Sequence, residues 1–327
     1  MDPLTRIVTI FAAVLLVVGG FAFLFGPSEP TGTDVRDFDR ILPEYIDGYL
    51  QAAEAAFPDI IEGAEKRVVW ADPATKERTE LAVIYLHGFS ATSEELRPVP
   101  DRVAAAVGAN LYFVRFAGHG RGGEALAEPS MNDWINDLAE AMAIGRRIGD
   151  RILIVGTSTG GTLAAYAAMD GRINAGLAGV VLVSPNFGLR AAGSGFLNMP
   201  YAQRLLPYLA GDTRTWEPVS DAQGRWWTTK YPTVALLPMA ALVKFTAGLR
   251  FGAARVPALF LVSDEDTVIS VPAVRAVAGK WGGRSELVAL ELGPGDDPAR
   301  HVLAGDILSP GQTDAVVERI VEWAGSL

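Results

Sequence analysis

The stretch Gly156-Thr157-Ser158-Thr159-Gly160 follows the apolar run Ile152-Leu153-Ile154-Val155 without a break. It is followed in turn by the small-residue segment Gly161 to Ala168. A buried strand, a G-x-S-x-G turn and a helix in immediate succession form a nucleophile elbow, the most constraining feature of this chain. The turn holds its serine in a strained backbone conformation, at a cost of roughly 1–3 kcal/mol, and lifts the hydroxyl clear of the sheet. Glycine at 156 and 160 leaves room for a strand-to-helix crossing that a Cβ on either side would block. A bare five-residue pattern of this kind is common in loops. The strand before it and the helix after it are what give it meaning.

A second apolar strand, Leu81 to Leu86, runs into His87-Gly88-Phe89-Ser90. With an elbow downstream of it, the chain resembles the α/β-hydrolase family, in which an H-G-x segment supplies half of the oxyanion hole. The resemblance implies that the backbone N–H groups of Phe89 and Thr159 together receive the oxygen of a tetrahedral intermediate. Losing one such donor typically costs about 3–4 kcal/mol of transition-state stabilisation. The family also places an acid after a later strand, commonly as D-x-V. Here Ala258 to Val262 leads into Ser263-Asp264-Glu265-Asp266-Thr267-Val268, and Asp266 has that spacing. Asp264 and Glu265 are close competitors, and three acids in a row also make an ordinary solvated loop. The strand Leu287 to Leu292 is followed by His301, which matches the family's base. The order Ser158, Asp266, His301 is then that of an α/β-hydrolase triad.

Each residue type has a chemical reason to be there. A serine hydroxyl becomes nucleophilic when an imidazole takes its proton. A carboxylate holds that imidazole in the productive tautomer and stabilises the imidazolium. The same trio serves esters, thioesters and amides, so it specifies a reaction class. A carboxylic ester hydrolase is the leading expectation. A peptidase or acyltransferase on the same triad, or a non-catalytic interaction protein on the same fold, is the alternative. Filled triad positions count against the last.

Two further histidines carry different expectations. His87 belongs to the H-G-x segment and reads as a support for the oxyanion loop. His119 lies in Gly118-His119-Gly120 after the strand Leu111 to Arg115, a turn that resembles the carboxylesterase and monoacylglycerol-lipase branch of the family. It is read first as a tight structural turn and second as a substrate-side residue. Gly118, Gly120 and Gly123 also spell G-x-G-x-x-G, the dinucleotide pattern. That fingerprint must open a helix at once, and here Glu124 to Ser130, with Pro129 inside, intervenes. No nucleotide cofactor is expected.

About seventy residues separate Pro185 from the strand at Ala258, where the resemblance implies a cap over the site. The segment 186–255 holds Trp216, Trp226, Trp227, Tyr201, Tyr208 and Tyr231 and the apolar run Val234 to Val243. Helical packing accounts for most of these. An inward apolar surface would make an acyl pocket, with Trp226 and Trp227 as its candidate lining. The expected organisation is a hydrolase core over 31–185 and 256–327, a mostly parallel sheet flanked by helices, with the cap inserted at 186–255.

Residues 1–30 stand apart. Ile7 to Phe25 is an unbroken apolar run of 19 residues, about 28 Å as a helix against a bilayer core of about 30 Å. A cleaved signal peptide would show a shorter apolar core and a small-x-small site. An uncleaved anchor is therefore expected, followed by the linker Gly26 to Gly32, with the catalytic domain outside the cytoplasm. Arg6 before the run, and Arg36 and Arg40 after it, bias this orientation only weakly. Beyond the linker, Asp34 to Phe57 has helical apolar spacing broken by Pro43, and Lys66 to Ala71 reads as an antiparallel edge strand. With a net charge of −10 and no basic stripe, nucleic acid is not an expected partner. Zero cysteines and three scattered histidines leave no expected metal site.

Overall fold

In the computed structural model, which describes residues 2–327, the chain begins with helix α1 (Pro3–Leu24). Asp2 caps it, its carboxylate accepting the Thr5 N–H at 2.9 Å. The helix therefore starts four residues before the apolar run that marks it in the sequence. The segment Pro3–Phe23 is long and apolar enough to cross a membrane, and none of it is buried. The next helices, α2 (Phe38–Ile41) and α3 (Ile46–Glu54), are the two halves of the amphipathic element. Pro43 separates them because its ring removes a donor and clashes with the preceding turn. Leu42, Ile46 and Leu50 are buried in the main core, so this segment belongs to the body of the protein.

The body alternates strand and helix: β1 (Arg67–Val69), β2 (Thr79–Leu86), α4 (Val99–Ala106), β3 (Asn110–Phe113), α5 (Met131–Ile148), β4 (Gly149–Thr157), α6 (Thr159–Met169) and β5 (Leu177–Val183). After a long excursion come β8 (Ala258–Val262), α10 (Val271–Lys280), β9 (Ser285–Ala289) and α11 (Thr313–Ala324). The excursion supplies α7 (Ala202–Ala210), β6 (Thr213–Thr215), α8 (Asp221–Trp226), β7 (Lys230–Pro232) and α9 (Leu236–Ala247). The main sheet has seven strands in the order β1-β3-β2-β4-β5-β8-β9. Every pairing is parallel except that of β1 with β3, the antiparallel edge read from the sequence.

Why the inner strands read as continuous apolar runs follows from the pleat. Successive residues point to opposite faces, and both faces are covered by helices. On β2, Ala82, Ile84 and Leu86 face the larger core, made with α5, α6, α9 and α10. Val83 and Tyr85 face the second core, made with α4 and α11. On β4, Ile152 and Ile154 go one way and Leu153 and Val155 the other.

Within 186–255 the chain is not uniform. β6 and β7 pair as a two-stranded antiparallel ribbon. α9 instead returns to the body, where Met239, Ala241, Leu242 and Val243 are buried in the larger core. The segment is thus divided, its ribbon pairing only with itself and its last helix belonging to the larger core.

Candidate active site

The elbow explains its own sequence. Ser158, between β4 and α6, has φ +51° and ψ −113°, a backbone conformation that L-residues rarely adopt. Its N–H donates to the Val183 carbonyl at 2.9 Å, and its carbonyl accepts the N–H groups of Thr162 and Asn186. The strained residue is therefore held from both neighbouring elements. A Cβ at Gly156 would sit 2.5 Å from the Gly160 carbonyl oxygen, and one at Gly160 would be driven into the Leu86 carbonyl. The two glycines let α6 cross the ends of β2 and β4 at backbone contact distance.

His301 and Asp266 come together across the far ends of β8 and β9. The His301 Nδ1 lies 2.7 Å from Asp266 Oδ2. The other oxygen, Oδ1, accepts the N–H groups of Val268 at 2.7 Å and Ile269 at 3.0 Å, so the carboxylate cannot rotate away. Asp266 is 1% exposed. Its two rivals point elsewhere: exposed Asp264 pairs with Arg275 at 2.6 Å, and exposed Glu265 lies 3.5 Å from Arg300. Asp297 holds the histidine's backbone, accepting the N–H groups of His301 at 2.9 Å and Val302 at 2.8 Å. Burial disfavours the imidazolium of His301. The hydrogen bond and charge of Asp266, with further negative charge from Glu95 and Asp297, outweigh it and raise the pKa above the ordinary 6.5.

The H-G-x segment is fixed on two sides. Phe116 donates its N–H to His87 Nε2 at 3.2 Å, so the ring proton resides on Nδ1 and is donated to the Gly88 carbonyl at 2.8 Å. Burial drives His87 down to about 4, which keeps it neutral. A trans peptide points its C=O and N–H in opposite directions. Holding the Gly88 carbonyl therefore turns the Phe89 N–H the other way, and that N–H has no protein acceptor among the described residues. Thr159 is the first residue of α6, where a helix leaves its N–H groups unpaired.

His119 lies beneath this loop. Its ring is 5.7 Å from Phe89, 5.6 Å from Trp134 and 5.0 Å from His87, centroid to centroid. Burial keeps it neutral. Gly118 and Gly120 both have positive φ, and a Cβ at Gly118 would meet the Ala125 carbonyl. A Cβ at Gly123 would strike the Lys230 carbonyl on β7. These three glycines serve a tight turn packed against the excursion, which accounts for a nucleotide-like pattern in the wrong place.

Trp227 is buried within the second core, and Trp226 abuts Gly63 with the Arg225 guanidinium 4.7 Å from its ring. The Thr228 N–H then donates to the Ser90 carbonyl at 2.7 Å. The pair thus secures the excursion to the body beside the H-G-x loop. A separate apolar cluster brings Tyr231, Leu126 and Ala235 together with Phe89, Trp216 and Leu236. A cleft of about 520 Å³ lies elsewhere, lined by Asp47, Leu50, Glu54, Phe57 and Lys66 under the N-terminal helices.

A family model described as serine aminopeptidase, S33, matches residues 77–291. The chain belongs to this family. It is an α/β-hydrolase. The S33 match spans the H-G-x segment, the elbow and Asp266, and His301 lies ten residues beyond it. Over 199 residues the chain is 28% identical to a thermostable monoacylglycerol lipase of Bacillus sp. (strain H-257), covering 61% of this chain and 76% of that protein. Among solved structures, it is similar to a chain from the metagenome-derived lipolytic enzymes LipS and LipT, with TM-score 0.66 and 21% identity, covering 82% of this chain and all of that one. It is also similar to a soluble variant of the Saccharomyces cerevisiae monoglyceride lipase, with TM-score 0.61 and 12% identity over 80% of this chain and 90% of that one. At those identities the structural likeness speaks for the fold.

Two residues of the site were not singled out by sequence reasoning. Asp297 precedes His301 by four positions in a Gly-Asp-Asp-Pro turn, a local hint. Glu95 is half of a Glu-Glu pair with nothing local to mark it.

Proposed function

We propose that this protein hydrolyses carboxylic esters of lipophilic acyl groups, with monoacylglycerols as the class most worth testing. The observation that carries the proposal is the 2.7 Å contact of His301 Nδ1 with Asp266 Oδ2 on the C-terminal side of the sheet that presents Ser158. With Nδ1 committed, Nε2 is the nitrogen left to accept the Ser158 proton. The serine oxygen then adds to the ester carbonyl, and the Phe89 and Thr159 N–H groups receive the oxyanion. Collapse expels the alcohol with the proton from His301 and leaves an acyl-serine. Water, deprotonated by the same imidazole, reverses the sequence and frees the acid. The S33 name and the lipase relatives both fit a hydrolase of this type. The lipase relatives favour esters over amides.

The test is a series of p-nitrophenyl esters and 1-monoacylglycerols of increasing chain length, with aminoacyl p-nitroanilides alongside. Each methylene buried in a cap-side pocket contributes about 0.8 kcal/mol, so kcat/KM is expected to rise about fifteen-fold per two carbons until the pocket is full. Faster turnover of the anilides would move the reading to a peptidase. Replacing Trp226 and Trp227 together by alanine is expected to loosen the cap and flatten the chain-length preference, while acetyl-ester turnover largely persists. A preference that survives would place the pocket on the Phe89, Trp216 and Tyr231 cluster alone.

We further propose that α1 is a membrane anchor carrying the catalytic domain on the extracytoplasmic side. Before Thr31 the chain meets the body through Tyr201, whose N–H donates to the Pro27 carbonyl at 2.7 Å and whose hydroxyl donates to that of Ala22 at 3.2 Å, while the Thr33 carbonyl accepts from Arg172 at 2.9 Å. A chain beginning at Thr31 is expected to remain active and to leave the membrane fraction. Expression of the whole sequence that yields soluble protein with a new N-terminus after Phe25 would instead identify a cleaved signal.

A further inference from the structure

Glu95 is a buried carboxyl, 3% exposed, that the mechanism above does not use. It lies in the short turn Ser93–Glu95 that follows the oxyanion loop. One of its oxygens, Oε2, accepts the Gly88 N–H at 2.6 Å and the Tyr85 hydroxyl at 3.1 Å. The Tyr85 proton is thereby spent, so Thr157, whose hydroxyl lies 3.2 Å from that of Tyr85, is the donor in their contact. A continuous chain of hydrogen bonds then runs from Thr157, the residue before the nucleophile, through Tyr85 and Glu95 to Gly88. The other oxygen, Oε1, would stand 2.6 Å from a Cβ at position 88, which is why glycine follows His87.

We propose that Glu95 is a positioning residue for the oxyanion hole: it pins the Gly88 N–H inward so that the next N–H, that of Phe89, faces the reacting oxygen. This rests on the reading of Ser158, Phe89 and His301 given above. His87 fixes the carbonyl of Gly88 and Glu95 fixes its N–H, so the two peptide units flanking Gly88 are each held at one end. Removing either restraint frees the Phe89 N–H to turn. The carboxyl also acts on the base. The groups acting on it are Tyr85 on β2, whose hydroxyl it accepts and which Thr157 on β4 backs, and the charges of His301 and Asp297 on the loop after β9. Glu94 on its own turn is occupied by Arg67 and Arg97. Burial raises Glu95 to about 7, the Gly88 N–H, His301 and Tyr85 opposing the rise and Asp297 adding to it. Its anionic form is one of the charges that raise His301.

Two variants separate the roles, measured as kcat and KM against pH on one ester, with fluorophosphonate labelling as a control for Ser158 itself. Glu95→Ala removes the acceptor, and kcat at the plateau is expected to fall on the order of a hundred-fold with little change in KM. Glu95→Gln keeps an acceptor oxygen and removes the charge. Its acid limb of kcat/KM is expected to move to lower pH by roughly half a unit or more, since His301 loses a neighbouring anion. A merely structural glutamate would not move that limb. The proposal is overturned if folded Glu95→Ala keeps kcat within about three-fold of wild type, or loses affinity instead of turnover. Should Glu95→Ala not fold, Glu95→Asp, which draws the carboxylate back from the Gly88 N–H by one methylene, takes its place, and kcat within about three-fold of wild type overturns it. Failure of the wild-type enzyme to be labelled at Ser158 would instead strike the triad reading beneath it.

Discussion

Ser158→Ala is expected to lower kcat on every ester by about 10⁴- to 10⁶-fold and to abolish fluorophosphonate labelling. What remains is the turnover that the oxyanion donors and substrate binding supply unaided. The fold is expected to survive, because the elbow is held by main-chain groups: the Val183 carbonyl on one side, Thr162 and Asn186 on the other. Alanine inherits the positive φ without relieving it, so the melting temperature should change little. Circular dichroism and a thermal melt beside the kinetics would check both halves. Near wild-type turnover in this variant would end the acyl-enzyme mechanism.

Asp266→Asn is expected to cost roughly 10⁴-fold in kcat, with Asp264→Asn as its control. An amide in place of the carboxylate can turn its NH₂ toward His301 Nδ1, which then becomes the acceptor. The ring proton is shifted to Nε2, where it faces Ser158 and blocks proton transfer. Asp264 has no such role. Its partner is exposed Arg275, and surface pairs of that kind are worth about 0–1 kcal/mol. The comparison reads directly in kcat, and an inversion of the two effects would reassign the acid. The wild-type pH profile carries the same logic. The base must be neutral to act, and its pKa is raised above 6.5, so activity is present above that raised value and lost as the pH falls through it.

The fold was legible wherever a local contact dictates the residue. Gly156 and the runs on β2, β4 and β5 each answer to a neighbour a few residues away or to burial on both faces, and the sequence shows both conditions; Gly160 answers to the distant Leu86 carbonyl and was legible only through the motif. The acid was legible only as a group of three, because alternation within Asp264-Glu265-Asp266 carries no sign of which carboxylate meets a histidine 35 positions later. Glu95 was invisible for a related reason. It stands beside Glu94 in a polar turn, and only the folded chain sends Glu94 out to Arg67 and Arg97 while drawing Glu95 under Gly88. The run Val234 to Val243 has no polar residue to say which neighbour it meets. In the fold its second half packs into the larger core of the body.

The two elbow glycines are demanded by carbonyl oxygens, those of Gly160 and Leu86, and neither contact touches the serine side chain. A descendant that traded its hydroxyl for a methyl group would lose its chemistry and still be bound to keep both glycines, or its helix could no longer lie across its sheet. The motif is therefore two records written in one place. The outer letters report an architecture and outlast the enzyme, while the central letter reports its nucleophile. Between a buried strand and a small-residue helix, glycines at these positions around some other residue report the same crossing of helix over sheet, whatever chemistry the centre then carries.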